Sequence, residues 1–220
     1  MLKNWSKLEL LWLIFASIFV TVIPICLGDT VLGIISAFTG VVFVIMSAKG
    51  SIWCHVWGFI SCLLYAIISY QNLYYGEFVI NILYHVPIQV IGFMSWKKNM
   101  KSDTNTVQTR SLSNKNKWIV CAVVVLVTIV WGFCLKQIGG ALPYIAALSN
   151  VLSLIARFLS VNRYTEQWIL WIILNSISVV MWVYALGSGS QNIGTLLMWI
   201  IYVINSVWGY IKWKKDSKIY

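Results

Sequence analysis

The stretch Val90-Ile-Gly-Phe-Met-Ser-Trp-Lys-Lys-Asn99 decides how the chain is organised, because a close match returns 117 residues later as Val207-Trp-Gly-Tyr-Ile-Lys-Trp-Lys-Lys-Asp216. Both copies hold a glycine, an aromatic residue, a tryptophan and two lysines at the same spacing. Matches between apolar residues arise easily in a hydrophobic chain, but a shared Gly-aromatic-x-x-Trp-Lys-Lys pattern does not. The sequence therefore predicts two related halves that end in the same kind of helix.

Composition predicts that these halves lie in a membrane. Of 220 residues, 60% are hydrophobic and only 10% are charged, whereas soluble domains carry about 25% charged residues. Seven runs contain no Asp, Glu, Lys or Arg: 10–28, 30–48, 50–76, 78–96, 118–135, 137–156 and 167–211. A helix needs about 20 residues to cross the hydrocarbon layer, so the last run must cross twice, with a turn at 187–192. The prediction is an all-α integral membrane protein with eight transmembrane helices.

The basic residues orient these helices. With the N-terminus in the cytoplasm, 15 of the 16 Lys and Arg fall on the cytoplasmic side and only Lys136 falls outside. This asymmetry predicts that both termini are cytoplasmic. It also explains the net charge of +10 by contact with the lipid bilayer, without nucleic acid.

Five segments follow from the repeat and the spans. Residues 1–30 hold the cytoplasmic N-terminal end and one extra helix, and 31–97 form a first three-helix repeat. Residues 98–140 hold a polar cytoplasmic linker and a linker helix, 141–213 form a second three-helix repeat, and 214–220 are a cytoplasmic tail. The linker helix reverses the direction of the chain once more, so both repeats cross the membrane the same way. This 3+1+3 order predicts a substrate site between the halves, on a pseudo-two-fold axis along the membrane normal.

This arrangement resembles the SWEET fold, and two motifs resemble the PnuC family of vitamin transporters. The first is Leu73-Tyr-Tyr-Gly-Glu77 followed by Asn81, Tyr84, Pro87, Gln89, Gly92 and Trp96. The second is Glu166-x-Trp168-x-x-Trp171-x-x-x-Asn175-x-x-Ser178, closed by Gly209-Tyr210-x-x-Trp213. The resemblance covers about 31–215. It implies uptake of nicotinamide riboside across the bacterial inner (cytoplasmic) membrane by facilitated diffusion, with a cytoplasmic kinase that keeps the gradient inward. It also implies a homotrimer, and some branches of the family carry thiamine or riboflavin.

Polar side chains inside membrane helices are the first candidates for a site, because burying them is costly unless they are paired or face a cavity. Tryptophan faces attract a pyridinium cation, and Asn and Gln amides match ribose hydroxyls. Asn and Gln also commonly bond to neighbouring helices, and Trp171 suits packing as well as binding, so both roles stay open. The substrate-binding candidates are Asn81, Tyr84, Gln89, Trp168, Trp171, Asn175, Ser178 and Asn205.

Three further residues are candidates for gating. Glu77 lies at an outer helix end, and Pro87 and Pro143 can act as hinges. No Lys or Arg is expected in the middle of a helix, as suits a site that admits the riboside but not its phosphate. No Asp or Glu lies there either, which favours uniport. Two His and five Cys show no metal-ligand spacing, so no metal, cofactor or catalytic residue is predicted.

Two alternatives stay open. The first is a transporter of the same fold for thiamine or another vitamin or nucleoside. The second is a binding subunit that needs an ATP-driven partner. A membrane enzyme would need an acid–base or metal cluster, which the sequence lacks.

Overall fold

The computed structural model describes residues 5–71, 73, 75–101, 105–139, 142–187 and 193–219. Helices dominate, which confirms the all-α prediction. They are α1 (Lys7–Cys26), α2 (Val31–Lys49), α3 (Cys54–Gln71), α4 (Tyr75–Ile80), a π-helical turn (Asn81–His85), α5 (Val86–Lys97), α6 (Asn114–Gln137), α7 (Pro143–Val161), α8 (Gln167–Gly187) and α9 (Ile193–Asp216). Two short strands, β1 (Arg110–Ser111) and β2 (Lys218–Ile219), pair in parallel.

Seven helical segments of the described chain are long and apolar enough to cross a membrane. They are α1, α2, α3, α6 and α7, the stretch Phe78–Lys97, and the stretch Leu196–Asp216 of α9. Helix α8 has 21 residues, of which Gln167–Met181 form a shorter apolar segment. The structure therefore gives a multi-helix apolar bundle, and the eighth crossing stays a prediction.

Local sequence explains where helices begin and end. Ser6 and Glu9 form a capping box at the start of α1, and Thr30 caps α2 by accepting from the Gly33 amide. Gly50 ends α2 with a φ of 76°, a left-handed conformation that favours glycine.

Helix α7 corrects the sequence prediction most. The second repeat was predicted to begin at 141, close to the observed start of α7 at Pro143, but the charge-free run ended at 156 and α7 continues to Val161. Proline suits the first helical turn, where its missing N–H has no partner to lose. Pro143 therefore begins a helix, and Arg157 lies inside one.

Two tryptophans at equivalent places in the sequence repeat make equivalent contacts. Trp96 Nε1 donates to the Ser160 carbonyl over 3.0 Å, and Trp213 Nε1 donates to the Ala48 carbonyl over 3.1 Å. Both rings are buried and lie 5.6 Å apart, centroid to centroid. Trp96 thus ties α5 to α7, and Trp213 ties α9 to α2.

The two glycines at equivalent positions of the repeated Gly-aromatic-x-x-Trp-Lys-Lys pattern allow aromatic rings to pack closely against helices. A Cβ on Gly92 would lie 2.3 Å from His55 Cε1, and a Cβ on Gly209 would lie 2.8 Å from the Trp168 ring. No side chain larger than hydrogen fits at either place without movement. Helix α5 is therefore close to α3, and α9 is close to α8.

The linker between the halves is folded against the helix ends. Val107 is 1% exposed and its amide donates to the Gly50 carbonyl over 2.9 Å. Glu166 accepts hydrogen bonds from Ser111 Oγ over 2.6 Å and from the Leu112 amide over 3.0 Å. A segment predicted as a polar connection thus covers the end of the bundle where α2 and α7 end and α8 begins.

Helix α1 is fastened at the same end by a buried carboxylate. Glu9 is 7% exposed and pairs with Lys49 Nζ over 2.6 Å and with Lys212 Nζ. Lys49 ends α2, and Lys212 lies near the end of α9. Helix α1 is therefore bonded to both α2 and α9.

Candidate substrate cavity

A cavity of about 590 Å³ lies between α2, α3, α7, α8 and α9. Its wall mixes aromatic rings with amides, hydroxyls and one cation. The lining residues that bear on its chemistry are Phe43, Ser47, Asn150, Ser153, Arg157, Ser160, Trp168, Trp171, Asn175, Ser178, Trp199, Tyr202 and Asn205.

Helix α8 supplies the stripe that the sequence predicted. Trp168, Trp171, Asn175 and Ser178 are three, four and three residues apart, so they share one face of the helix. The structure brings all four to the cavity wall. Their contact with a substrate stays a prediction.

The amides on the wall are held by neighbouring helices. Asn175 Nδ2 donates to Ser206 Oγ over 3.0 Å, and Asn205 Nδ2 donates to the Val44 carbonyl over 3.0 Å. Asn205 Oδ1 is buried and has no hydrogen-bond partner within the described part of the chain. Each amide is therefore fixed on one side, and Asn205 keeps an acceptor for a ligand. Ser178 Oγ donates to the Leu174 carbonyl of its own helix over 3.1 Å.

The three candidates around the π-helical turn and α5 do not line this cavity. Asn81 is buried at the start of the turn, and the Tyr84 hydroxyl donates to the Leu154 carbonyl over 2.8 Å. Gln89 Oε1 lies 2.9 Å from His55 Nδ1, beside a smaller pocket lined by Phe59 and Phe93. These contacts join α5 to α3 and the turn to α7.

The gating candidates lie at transitions between helical segments. Pro87 is the second residue of α5, directly after the π-helical turn, and Pro143 is the first residue of α7. Glu77 belongs to α4, but its side chain lies outside the described residues.

Arg157, which the sequence placed at a cytoplasmic helix end, lies inside α7, four residues before its last residue. It lines the cavity, and its guanidinium carbon lies 4.7 Å from the Phe43 ring centroid and 5.3 Å from the Trp171 ring centroid. Its Nε is buried and has no hydrogen-bond partner among the described residues. A signal was present in the sequence: Arg157 is followed by the apolar residues Phe158 and Leu159, which extend the helix past the charge.

The aromatic residues of α9 were also missed. Trp199 and Tyr202 line the cavity with Asn205, and their rings meet edge to face at 5.7 Å. The three residues lie at intervals of three positions on α9. A search at helical spacing from the predicted candidate Asn205 could therefore have identified Trp199 and Tyr202. Trp199 Nε1 is buried without a hydrogen-bond partner in the described ranges.

The chain matches proteins of known function over most of its length. Residues 30–215 match the family described as "Nicotinamide mononucleotide transporter". The nicotinamide riboside transporter PnuC of Neisseria mucosa is 35% identical over 98% of this chain and 84% of that protein. PnuC of Haemophilus influenzae is 29% identical over 98% of this chain and 93% of its own. A crystal structure of the vitamin B3 transporter PnuC superposes with a TM-score of 0.81, at 34% identity, over 96% of this chain and 92% of that one.

The apolar helices, the cavity between them and these relatives define a multi-pass membrane transporter. The relatives carry the names of transporters, in line with the prediction that the chain is not an enzyme. More narrowly, the chain belongs to the PnuC family, and the prediction of that family from two sequence motifs is confirmed.

Proposed function

We propose that this chain carries nicotinamide riboside across the bacterial inner membrane by facilitated diffusion. The observation that carries the proposal is the cavity: its volume of about 590 Å³ falls within the range of about 300–1,000 Å³ that is usual for small-molecule sites. The names of the relatives at 35% and 29% identity point to the same cargo.

The wall suits the two parts of the riboside. A pyridinium ring is flat and cationic, and it gains roughly 0.5–2 kcal/mol from an aromatic face. Trp168, Trp199 and Tyr202 supply such faces on the wall. Ribose hydroxyls donate and accept, as do the amides of Asn175 and Asn205.

Transport would proceed by alternating access between two three-helix repeats. The exchanged bonds from Trp96 to the Ser160 carbonyl and from Trp213 to the Ala48 carbonyl support this arrangement, because each joins one half to the other in the same way. The first helices, α2 and α7, both have 19 residues, and their starts are 112 positions apart.

The full proposal has eight spans in a SWEET-like 3+1+3 order, with both termini in the cytoplasm. The segments are 1–30, 31–97, 98–140, 141–213 and 214–220. A cytoplasmic riboside kinase would hold the gradient inward by phosphorylating the cargo, and the working assembly would be a homotrimer.

Calorimetric binding of nicotinamide riboside, thiamine and riboflavin to the purified protein tests the cargo. We expect the riboside alone to bind, and Asn175→Ala to weaken it by roughly 10-fold, as loss of a buried hydrogen-bonding group does. Asn116→Ala is the matched control, because Asn116 is exposed on α6, away from the cavity.

Uptake by protein in liposomes without ATP or an ion gradient tests the mechanism. Saturable uptake of the riboside supports uniport. Tight binding without uptake would instead favour a binding subunit that needs an ATP-driven partner. Binding of thiamine in place of the riboside would overturn the cargo.

A further inference from the structure

The linker segment 105–112 is bonded to the connection between α2 and α3. The Ile52 amide donates to the Asn105 carbonyl over 3.0 Å, and the Val107 amide donates to the Gly50 carbonyl over 2.9 Å. Both bonds join uncharged backbone groups. They hold the start of the segment to the first predicted repeat.

The same segment is also bonded to the connection between α7 and α8, where charged side chains take part. The Thr165 amide donates to the Arg110 carbonyl over 2.9 Å. Arg110 Nε donates to the Asn162 carbonyl over 2.8 Å, and its guanidinium carbon lies 4.2 Å from the Tyr164 ring centroid. The Glu166 carboxylate adds its bonds to the linker. Because charge-assisted bonds are roughly twice as strong as neutral ones, we expect the segment to be held more firmly to the second predicted repeat.

The linker crosses the bundle next to the rings that close one end of the cavity. Trp168 lines the cavity, and Trp96, Trp213 and Val107 belong to the same buried cluster. The Trp213 ring lies 5.8 Å from the Trp168 ring and 5.6 Å from the Trp96 ring, centroid to centroid. A Cβ on Gly50 would lie 3.8 Å from both Trp213 Nε1 and Val107 Cγ1. Val107 therefore lies beside the tryptophans, at the end of α2.

This end of the bundle faces the cytoplasm in the proposed orientation, since it carries basic residues such as Lys49 and Lys212. In alternating access, release of cargo to this side requires the two repeats to move apart here. A linker that is bonded to both repeats opposes that movement. One of its two sets of bonds must therefore break, and the weaker set should break first.

We propose that segment 105–107 is a latch on the cytoplasmic side of the cavity. In each transport cycle it releases from the α2–α3 connection, and Val107 leaves the tryptophan cluster, while 108–112 stays on the α7–α8 connection. The latch rests on the proposed transport by alternating access and on the proposed orientation. It goes beyond them because it assigns the opening of the cytoplasmic side to particular bonds.

Hydrogen exchange of the purified full chain tests the latch without any cargo. The Ile52 and Thr165 amides both donate to linker carbonyls, over 3.0 and 2.9 Å, but on opposite sides of the proposed break. Both residues are buried. A bonded amide exchanges when its bond opens, so we expect Ile52 to exchange at least about 10-fold faster than Thr165, after correction for intrinsic rates. Equal rates, or faster exchange at Thr165, would overturn the latch.

A disulfide across the proposed break tests the latch during transport. Ser51 and Thr106 form an antiparallel bridge that the two bonds from Ile52 and Val107 flank. The Cα atoms of such a pair lie about 4.5 Å apart, a separation that a disulfide can span. Ser51 Oγ has no hydrogen-bond partner among the described residues, so its replacement by sulfur removes no such bond. Oxidation of the Ser51→Cys, Thr106→Cys variant should therefore hold the latch closed.

The matched control is Arg110→Cys with Tyr164→Cys. These two residues form a parallel bridge between the linker and the α7–α8 connection, the contact that stays closed in the proposal. Each oxidised protein is compared with the same protein after reduction, so the effects of the substitutions cancel. We expect oxidation to lower the uptake of nicotinamide riboside by liposomes at least about 10-fold for the first pair and less than about 2-fold for the control pair.

Two further measurements make this comparison specific. Peptide mass mapping confirms each disulfide, and the wild-type chain under the same oxidant accounts for its native cysteines. Calorimetry should show that oxidation changes the riboside affinity of either pair by less than about 2-fold, because the latch acts on release and not on binding.

Three results of the transport assay would overturn the latch. They are unchanged uptake after oxidation of the first pair, an equal loss of uptake in both pairs, and a loss of affinity that matches the loss of uptake. A wild-type chain that takes up no riboside would instead refute the proposed function. The hydrogen-exchange comparison would then decide whether the latch opens.

Discussion

Substituting Gly209 with alanine should destabilise the contact between α9 and α8. The new Cβ would lie 2.8 Å from Trp168 Cδ2 and Cε2 and 2.9 Å from Cε3, whereas carbon atoms pack best at about 3.5–4.0 Å. The ring or the helix must therefore move by at least about 0.7 Å. Trp168 is 3% exposed and packs edge to face on Trp213 at 5.8 Å, so the ring has little room to yield.

The size of the effect follows from two opposing terms. Overpacking costs about 1–3 kcal/mol, and replacing a helical glycine by alanine returns up to about 1 kcal/mol. The difference is a net loss of up to about 2 kcal/mol, which should lower the Tm by up to about 8 °C for a chain of this length. Because Trp168 lines the cavity, the affinity for the riboside should fall as well.

Thermal melting of the detergent-purified protein measures the shift, with Gly187→Ala as the control. Gly187 is also helical, but a Cβ there meets nothing within 4 Å, so this variant should melt at or above the wild-type temperature. The related variant Gly92→Ala brings a Cβ within 2.3 Å of His55 Cε1 and should lower the Tm further. The reasoning fails if Gly209→Ala melts as high as Gly187→Ala.

Two ion-pair predictions concern the end of the bundle where Glu9 and Glu166 lie. Glu9→Gln should lower the stability by about 3 kcal/mol, because it removes the buried carboxylate that pairs with Lys49 and Lys212. Asp216→Asn, in an exposed pair with Lys101, should cost less than about 1 kcal/mol in the same melting assay. Equal shifts would contradict this ranking. Glu166→Gln should speed proteolysis within 105–113, because it weakens the hydrogen bonds that hold this part of the linker. Lys117→Gln should not, since Lys117 is 44% exposed; equal cleavage of both variants would count against the role of Glu166.

The features that could be predicted from sequence are those carried by one segment of chain. A helix fixes the angle between its own side chains, so the spacing of Trp168, Trp171, Asn175 and Ser178 already placed them on one face. The lengths of the charge-free hydrophobic runs likewise indicated where the helices lie. The repeated Gly-aromatic-x-x-Trp-Lys-Lys pattern indicated that Trp96 and Trp213 hold equivalent places.

The features that could not be predicted depend on partners from distant segments. Arg157 remains inside a helix next to rings from α2 and α8, and nothing in its local sequence shows that those rings are near. Counting charges therefore ended the predicted span too early. Gln89 had two possible partners, a ligand or a neighbouring helix, and only the fold shows that its amide reaches His55 on α3.

The packing of the linker could not be predicted for a related reason. Val107 is an apolar residue in a polar segment, which by composition indicates an exposed connection. It is buried because its backbone bonds to Gly50 and pairs with Met100. These backbone bonds reach residues that are distant in sequence, at the ends of helices. They therefore produce no periodic pattern in the linker's own sequence.

The Glu9 contacts also set an order for biosynthesis. Glu9 leaves the ribosome before both of its partners, which follow 40 and 203 residues later. During translation the carboxylate would pair first with Lys49, while the site for α1 against α9 does not yet exist. The second bond can form only after α9 has been inserted, so α1 is fully bonded only once a helix made much later is in place.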